Sequence, residues 1–148
     1  MTDSTRAMKH STFAFGAVAR YNVAMSDAAP EILILTQAID AATLGRLVQA
    51  GFGDMVKYVV DVERDVIAVG GELHVDAEDV LLEAGSRQQD LWGANYYPGR
   101  GRDGCIEFTS LINISPARGN RSMEIGDPAI RDKIRMLTFH LIGEGTDL

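Results

Sequence analysis

Val56-Lys57-Tyr58-Val59-Val60-Asp61-Val62, the triplet Glu63-Arg64-Asp65, and Val66-Ile67-Ala68-Val69-Gly70-Gly71-Glu72-Leu73-His74-Val75 form the stretch that decides the fold class. Val56, Tyr58, Val60 and Val62 alternate onto one side of an extended strand, while Lys57 and Asp61 take the other. Glu63-Arg64-Asp65 supplies a turn, and the residues from Val66 to Val75 read as the returning strand. In that strand Ile67, Val69, Leu73 and Val75 share one face, and Ala68, Glu72 and His74 share the opposite one. The pattern predicts an antiparallel hairpin. Gly70-Gly71 within it predicts a bulge or the close approach of another group. A phosphate-binding loop is excluded, because its glycines open a helix at a defined spacing.

On the N-terminal side, Ile32-Leu33-Ile34-Leu35 is a short apolar run suited to a strand buried on both faces. Asp40 then caps a helix carrying Leu44, Leu47 and Val48 at helical spacing, with Gly51 as a left-handed stop. On the C-terminal side, Asp76 reads as the cap of a second helix, with Asp79 in its first turn, a stripe of Ala77, Val80, Leu81 and Ala84, and Gly85 at its end. Leu91 to Tyr97 predicts a strand, Pro98 to Gly104 a flexible turn, and Cys105 to Ser115 the last strand. In that last strand Ile106, Phe108, Ile112 and Ile114 point one way, and Glu107, Thr109 and Asn113 the other. Asp127-Pro128 opens a closing helix bearing Ile130, Ile134, Leu137 and Leu141. The order βαββαββα predicts a two-layer α+β domain with an about five-stranded mixed, mainly antiparallel sheet and three helices, most of them on one face. The first strand–helix–strand unit is expected to pair in parallel through a right-handed crossover.

The chain has 148 residues, enough for one ordinary core and too few for two. Residues 1–30, rich in Ser, Thr and Ala, read as a poorly packed N-terminal extension, and residues 31–148 as the single domain. Met25 is an alternative start, because strong patterning begins just after it. A net charge of −7 argues against nucleic acid or an anionic membrane as partner. No apolar run is long enough to span a bilayer. The single cysteine, Cys105, excludes an internal disulfide and suits the cytoplasm.

Chemistry concentrates on the face opposite the expected core. Glu72 and His74 are the candidate metal ligands, and two ligands fall short of an ordinary site once Asp76 serves as a cap. No metal or cofactor is therefore named. Gln89, Asp90, Trp92 and Asn95 cluster around the only tryptophan, where polar side chains could orient a ligand against the indole. Glu107, Asn113, Asn120 and Arg121 complete the candidate binding residues, with His74, Glu72, Glu107, Asn113, Trp92 and Arg121 expected to line one groove. The leading expectation is a binding or regulatory module that engages a protein or a small polar ligand through the polar sheet face and the Trp92 loop. The alternative is a small hydrolase or metal-dependent enzyme using His74 with Glu72 or Glu107, and Arg121 as an anion clamp.

Several motifs carry a family resemblance. They are Gly51-Phe52-Gly53-Asp54-Met55-Val56-Lys57, Val60-Asp61-Val62-Glu63, Gly70-Gly71-Glu72-Leu73-His74 with Asp76, and Leu82-Glu83 through Gly85-Ser86. Gln89-Asp90-Leu91-Trp92-Gly93 with Asn95, Ile106-Glu107-Phe108, Ile112-Asn113-Ile114, Pro116 and Gly119-Asn120-Arg121-Ser122 continue it up to the Asp127-Pro128 helix. In this order they resemble domain-of-unknown-function family 5674, a family of short prokaryotic proteins, over about residues 31–142. Ser115 departs from it, standing where a basic residue is expected. The resemblance implies no activity.

Overall fold

The structure, a computed structural model, describes residues 18–22 and 30–148. A six-stranded sheet runs in the order β1-β2-β4-β3-β5-β6. Its strands are β1 (Val18–Asn22), β2 (Glu31–Leu35), β3 (Val56–Asp61), β4 (Val66–Gly70), β5 (Leu91–Tyr96) and β6 (Ile106–Glu107). The helices are α1 (Ala41–Ala50), α2 (His74–Glu83), the short α3 (Gly101–Gly104) and α4 (Pro128–Leu141). The α+β class and the strand–helix order follow the expected pattern.

Every strand pair is antiparallel. The expected parallel pairing of β2 with β3 does not form, because β4 folds back from its hairpin and inserts between them. Residues 18–22 of the expected extension supply β1, which pairs with β2 from Val18 opposite Leu35 to Asn22 opposite Glu31. Residues 1–17 and 23–29, where the remainder of that extension and the alternative start at Met25 fall, lie outside the described residues.

Both faces of the sheet are covered, so helices form a layer on each side rather than on one. Leu33, Leu35, Tyr58, Val60, Ile67 and Val69 face α1 and α4, packing with Leu44, Leu47, Ile134, Leu137 and Leu141. The opposite positions, Ile32, Ile34, Val59, Ala68 and Leu91, pack with Ala77, Val80 and Leu81 of α2. Burying a side chain of this size contributes about 1.5–3 kcal/mol, which places α2 firmly on the second face. Within the first core the Tyr58 hydroxyl meets the Thr138 hydroxyl at 2.7 Å, and Thr138 donates to the Ile134 carbonyl, so the buried polar atoms are satisfied.

Two helix starts match expectation. The Asp40 side chain accepts from the Thr43 amide at 2.7 Å, and the Asp127 side chain accepts from the Ala129 amide at 2.9 Å with Pro128 following. The end of α1 differs: Gly51 has φ −100°, and the left-handed conformation falls to Gly53 at φ +86°. The return strand also stops early. Gly70 and Gly71 adopt φ +111° and +86°, which breaks the ladder, and a Cβ on Gly70 would stand 2.3 Å from the Glu31 carbonyl oxygen. The chain therefore turns, and α2 starts at His74 with Leu73 in the cap position; Asp76 lies in the first turn and is not the cap. The predicted strand from Cys105 to Ser115 shortens to β6, followed by a 3-10 turn at Leu111–Asn113. There the Ser110 hydroxyl accepts from the Ile112 amide, the local bonding by which serine competes with a sheet ladder. Part of the expected flexible turn before β6 is α3, held by the C-terminal segment: Gly101 donates to the Gly145 carbonyl, and Gly145 donates to the Tyr96 hydroxyl.

Candidate functional site

The start of α2 brings His74 against β5. Its Nε2 lies 2.8 Å from the Ala94 carbonyl oxygen. A carbonyl only accepts, so Nε2 carries the hydrogen and the neutral ring leaves Nδ1 bare. Burial holds the His74 pKa below its ordinary value; the Ala94 carbonyl opposes this, Lys57 adds to it, and Asn95 and Glu107 favour the charged form. Glycine at 93 permits the approach: a Cβ there would stand 2.6 Å from Ser110 Cβ and 3.2 Å from His74 Cδ2.

Asn95 lies two residues further along β5, on the same face. Its Nδ2 donates to Glu107 Oε1 at 2.8 Å, and the Tyr97 hydroxyl donates to the same oxygen at 3.2 Å. Asn95 is only 7% exposed, and its Oδ1 is buried with no hydrogen-bond donor among the described residues. The neutral imidazole directs its single hydrogen to Ala94, whereas the charged ring would have a second one to offer Asn95. His74 and Asn95 thus line a cavity of about 290 Å³ together with Lys57, Leu73, Val75, Thr109, Ser110, Leu111, Ile112 and Met123. Leu73, Val75, Leu111 and Met123 are all exposed at this cavity, Leu111 by 70%. The wall is predominantly apolar.

Of the six residues expected to line one groove, only His74 lines the cavity; it is joined there by Asn95 from the tryptophan stretch, and Glu107 bonds to Asn95 from outside the lining. Glu72 is exposed in the turn between β4 and α2, outside the lining of this cavity, so the supposed same-face set of Glu72, His74 and Asp76 does not form. Among the described residues no group of three or more His, Cys, Asp and Glu could hold a metal ion. Trp92 alternates onto the α1/α4 face, and the Arg118 guanidinium sits 3.7 Å from the centre of its ring. Arg118 also donates to the carbonyls of Gln89 and Leu91. Gln89 lines a separate hollow with Glu78 and Arg118, where burial raises the Glu78 pKa and lowers that of Arg118. Asp90 lies 4.0 Å from Arg87. Arg121 is exposed and outside the lining of the cavity.

Asn113 and Asn120 are buried scaffolding. Asn113 Oδ1 accepts from the Gly93 amide at 2.8 Å, and its Nδ2 donates to the carbonyls of Gly93 and Met123. Asn120 Nδ2 donates to the carbonyls of Asn113, Ser122 and Glu124, while its Oδ1 accepts from the Gly126 amide. Together these amides shape the loop that carries Thr109, Leu111 and Met123 to the cavity. Asp61, expected on a polar face, is fully buried and accepts from the amides of Glu63 and Arg64 and from the Ser86 hydroxyl.

The apolar rim is what the sequence reading missed. Leu73 and Val75 flank His74, a signal that assigning these residues to a strand directed toward the core.

Among the described residues no helix is long and apolar enough to cross a membrane. No curated protein and no solved structure matches the chain. The model of a protein family of unknown function, DUF5674, matches residues 33–141, and the chain belongs to that family.

Proposed function

We propose that this protein is a binding module whose ligand is a small molecule with an apolar body, held between the start of α2 and the 109–123 loop. The observation that carries the reading is the cavity of about 290 Å³, walled by Leu73, Val75, Leu111, Ile112 and Met123 over a floor of His74 and Asn95. Its volume is at the lower end of small-ligand sites, and an apolar wall with few polar groups is their usual composition. The small polar ligand expected from the sequence thus becomes a mainly apolar one. A cytoplasmic location belongs to the same reading and rests on the lone thiol of Cys105.

A catalytic role has less support. His74 commits Nε2 to the Ala94 carbonyl, and Glu107 is engaged by Asn95 and Tyr97. Glu72 and Arg121, which the enzymatic alternative needs, do not line the cavity.

Titration of isotope-labelled protein with toluene tests the reading. Amide resonances of Leu73, Val75, Asn95, Thr109 and Leu111 are expected to shift together, and Leu111→Glu to abolish the shifts while leaving the rest of the spectrum in place. Shifts scattered over the surface, or none at these residues, overturn the assignment.

A further inference from the structure

The cavity beside the start of α2 is lined by two titratable side chains, Lys57 and His74, and both are basic. In a chain with 21 acidic residues against 14 Lys and Arg, its lining holds no carboxylate. Glu107 stays outside that lining, engaged by Asn95 and Tyr97. Lys57 stands on β3 opposite Asn95 of β5 and is half-buried. Among the described residues no carboxylate pairs with its ammonium. Its ring neighbour is Phe52, whose centre lies 5.1 Å from Nζ and which is itself exposed. That contact leaves the ammonium, on its flexible four-carbon stem, free to turn to the cavity. A cation without a counter-charge beside an apolar wall attracts anions more strongly than one in open water.

His74 responds to the same charge. Burial foremost, with Lys57 adding to it, keeps the ring neutral, while the Ala94 carbonyl, Asn95 and Glu107 favour its charged form. Asn95 Oδ1 is too enclosed for a ligand to touch, and a second ring hydrogen would reach it from inside the protein. An anion in the cavity offsets Lys57 and favours uptake of that proton from solvent. Binding of an anion and satisfaction of the enclosed acceptor therefore support one another.

We propose that the cavity selects small apolar molecules bearing one carboxylate, such as aryl or branched-chain acids, over their neutral isosteres, with Lys57 as the counter-ion. This rests on the cavity being the binding site. The apolar body lies against Leu73, Val75 and Leu111, and the carboxylate meets the Lys57 ammonium. One ammonium matches one negative charge, and a second charge would stand unpaired against an apolar wall. Lys57 is partly solvated, so the pair is worth what such ion pairs ordinarily are, a preference of about fivefold in affinity.

The test compares 4-methylbenzoate with 4-methylbenzamide, alike in shape and different in charge, by chemical-shift titration of the full chain. Tighter binding of the benzoate by about fivefold, with shifts at Leu73, Val75 and Leu111, supports the proposal. Equal affinity, or tighter binding of the benzamide, overturns the charge preference and leaves the pocket as a binding site. If neither probe shifts the cavity residues, the binding-site reading falls with it. Lys57→Met and Lys57→Arg supply the second arm. The preference for the benzoate is expected to vanish in the first and persist in the second, and its persistence in Lys57→Met overturns the role of Lys57. The His74 ring, followed by its own resonances in the unaltered chain, gives a readout that needs no variant. Saturating 4-methylbenzoate is expected to raise the pH at which the ring titrates, and 4-methylbenzamide to leave it in place. A ring that titrates alike with both probes overturns the proposal that an anion sits beside it.

Discussion

The two faces of the sheet are built from the same strands and finished differently. Toward α1 and α4, large side chains from both layers meet, and Phe108 closes the end under Arg131 and Arg135, whose guanidinium groups lie 4.8 and 5.4 Å from its ring centre. Toward α2 the core is smaller. It ends where β5 offers Gly93 and Asn95 in place of apolar side chains, and there the cavity opens. The difference follows from what covers each face. One is covered along its length by two helices, whereas the other is shared between α2 and a loop held by side-chain amides. A site arises at the boundary between the two covers, where neither packs fully against the strand.

Removing Phe108 is the strongest way to break this comparison. Phe108→Ala opens a hole in the complete core and is expected to cost about 3–5 kcal/mol, measured by denaturant unfolding. A near-neutral change would mean that the face is not closed as described.

Gly93→Ala acts on the incomplete face. The added methyl meets the Ser110 side chain at 2.6 Å from its Cβ, so the loop must move away. The expected cost is about 1–3 kcal/mol, with amide shifts confined to the cavity and to its loop. Equal perturbation of α4 would show that the two faces are coupled after all.

The smallest effect is pH dependence. His74 has its pKa depressed, chiefly by burial, so the unfolded chain binds a proton that the folded chain refuses. Stability is retained above about pH 6.5 and lost as pH falls through the folded value, at no more than about 1.4 kcal/mol per pH unit. Lys57 and Glu107 face His74 with opposite influence, and Glu78, with its pKa raised by burial, contributes in the opposite sense. The readout is therefore the difference between the protein and His74→Gln, which should lack this part of the slope. Parallel pH profiles for the two would assign His74 no role in it.

Those contrasts also show what the sequence made legible. Alternation in β3 placed Val56, Tyr58 and Val60 on one face, and the caps at Asp40 and Asp127 were readable because a short acidic side chain before a helical stripe has one economical use. Two features were hidden. Glycine pairs in a strand pattern signal either a bulge or an end, and only the Glu31 carbonyl lying against Gly70 selects the end. On the second face Ile32 and Ile34 were legible as buried, whereas Ala68 was grouped with Glu72 and His74 on the opposite, polar face, and the structure packs it with Ile32, Ile34 and Val59. For the site, His74, Asn95 and Glu107 were all among the candidate residues, and the structure sets His74 and Asn95 on one cavity with Glu107 bonded to Asn95. Trp92, expected on a loop beside the groove, instead follows the strand alternation of β5 onto the α1/α4 face.

Asn113 carries a consequence for how the molecule behaves in company. Beyond the two-residue β6, the edge of β5 would present main-chain groups to any passing extended chain, and such edges recruit further strands into aggregates. The Asn113 amide occupies both the amide and the carbonyl of Gly93, as a neighbouring strand would. One side chain thus closes the edge to intermolecular pairing at Gly93 without requiring a strand there. The loop that follows is left free to bend around a pocket while this stretch of the β5 edge stays closed at Gly93.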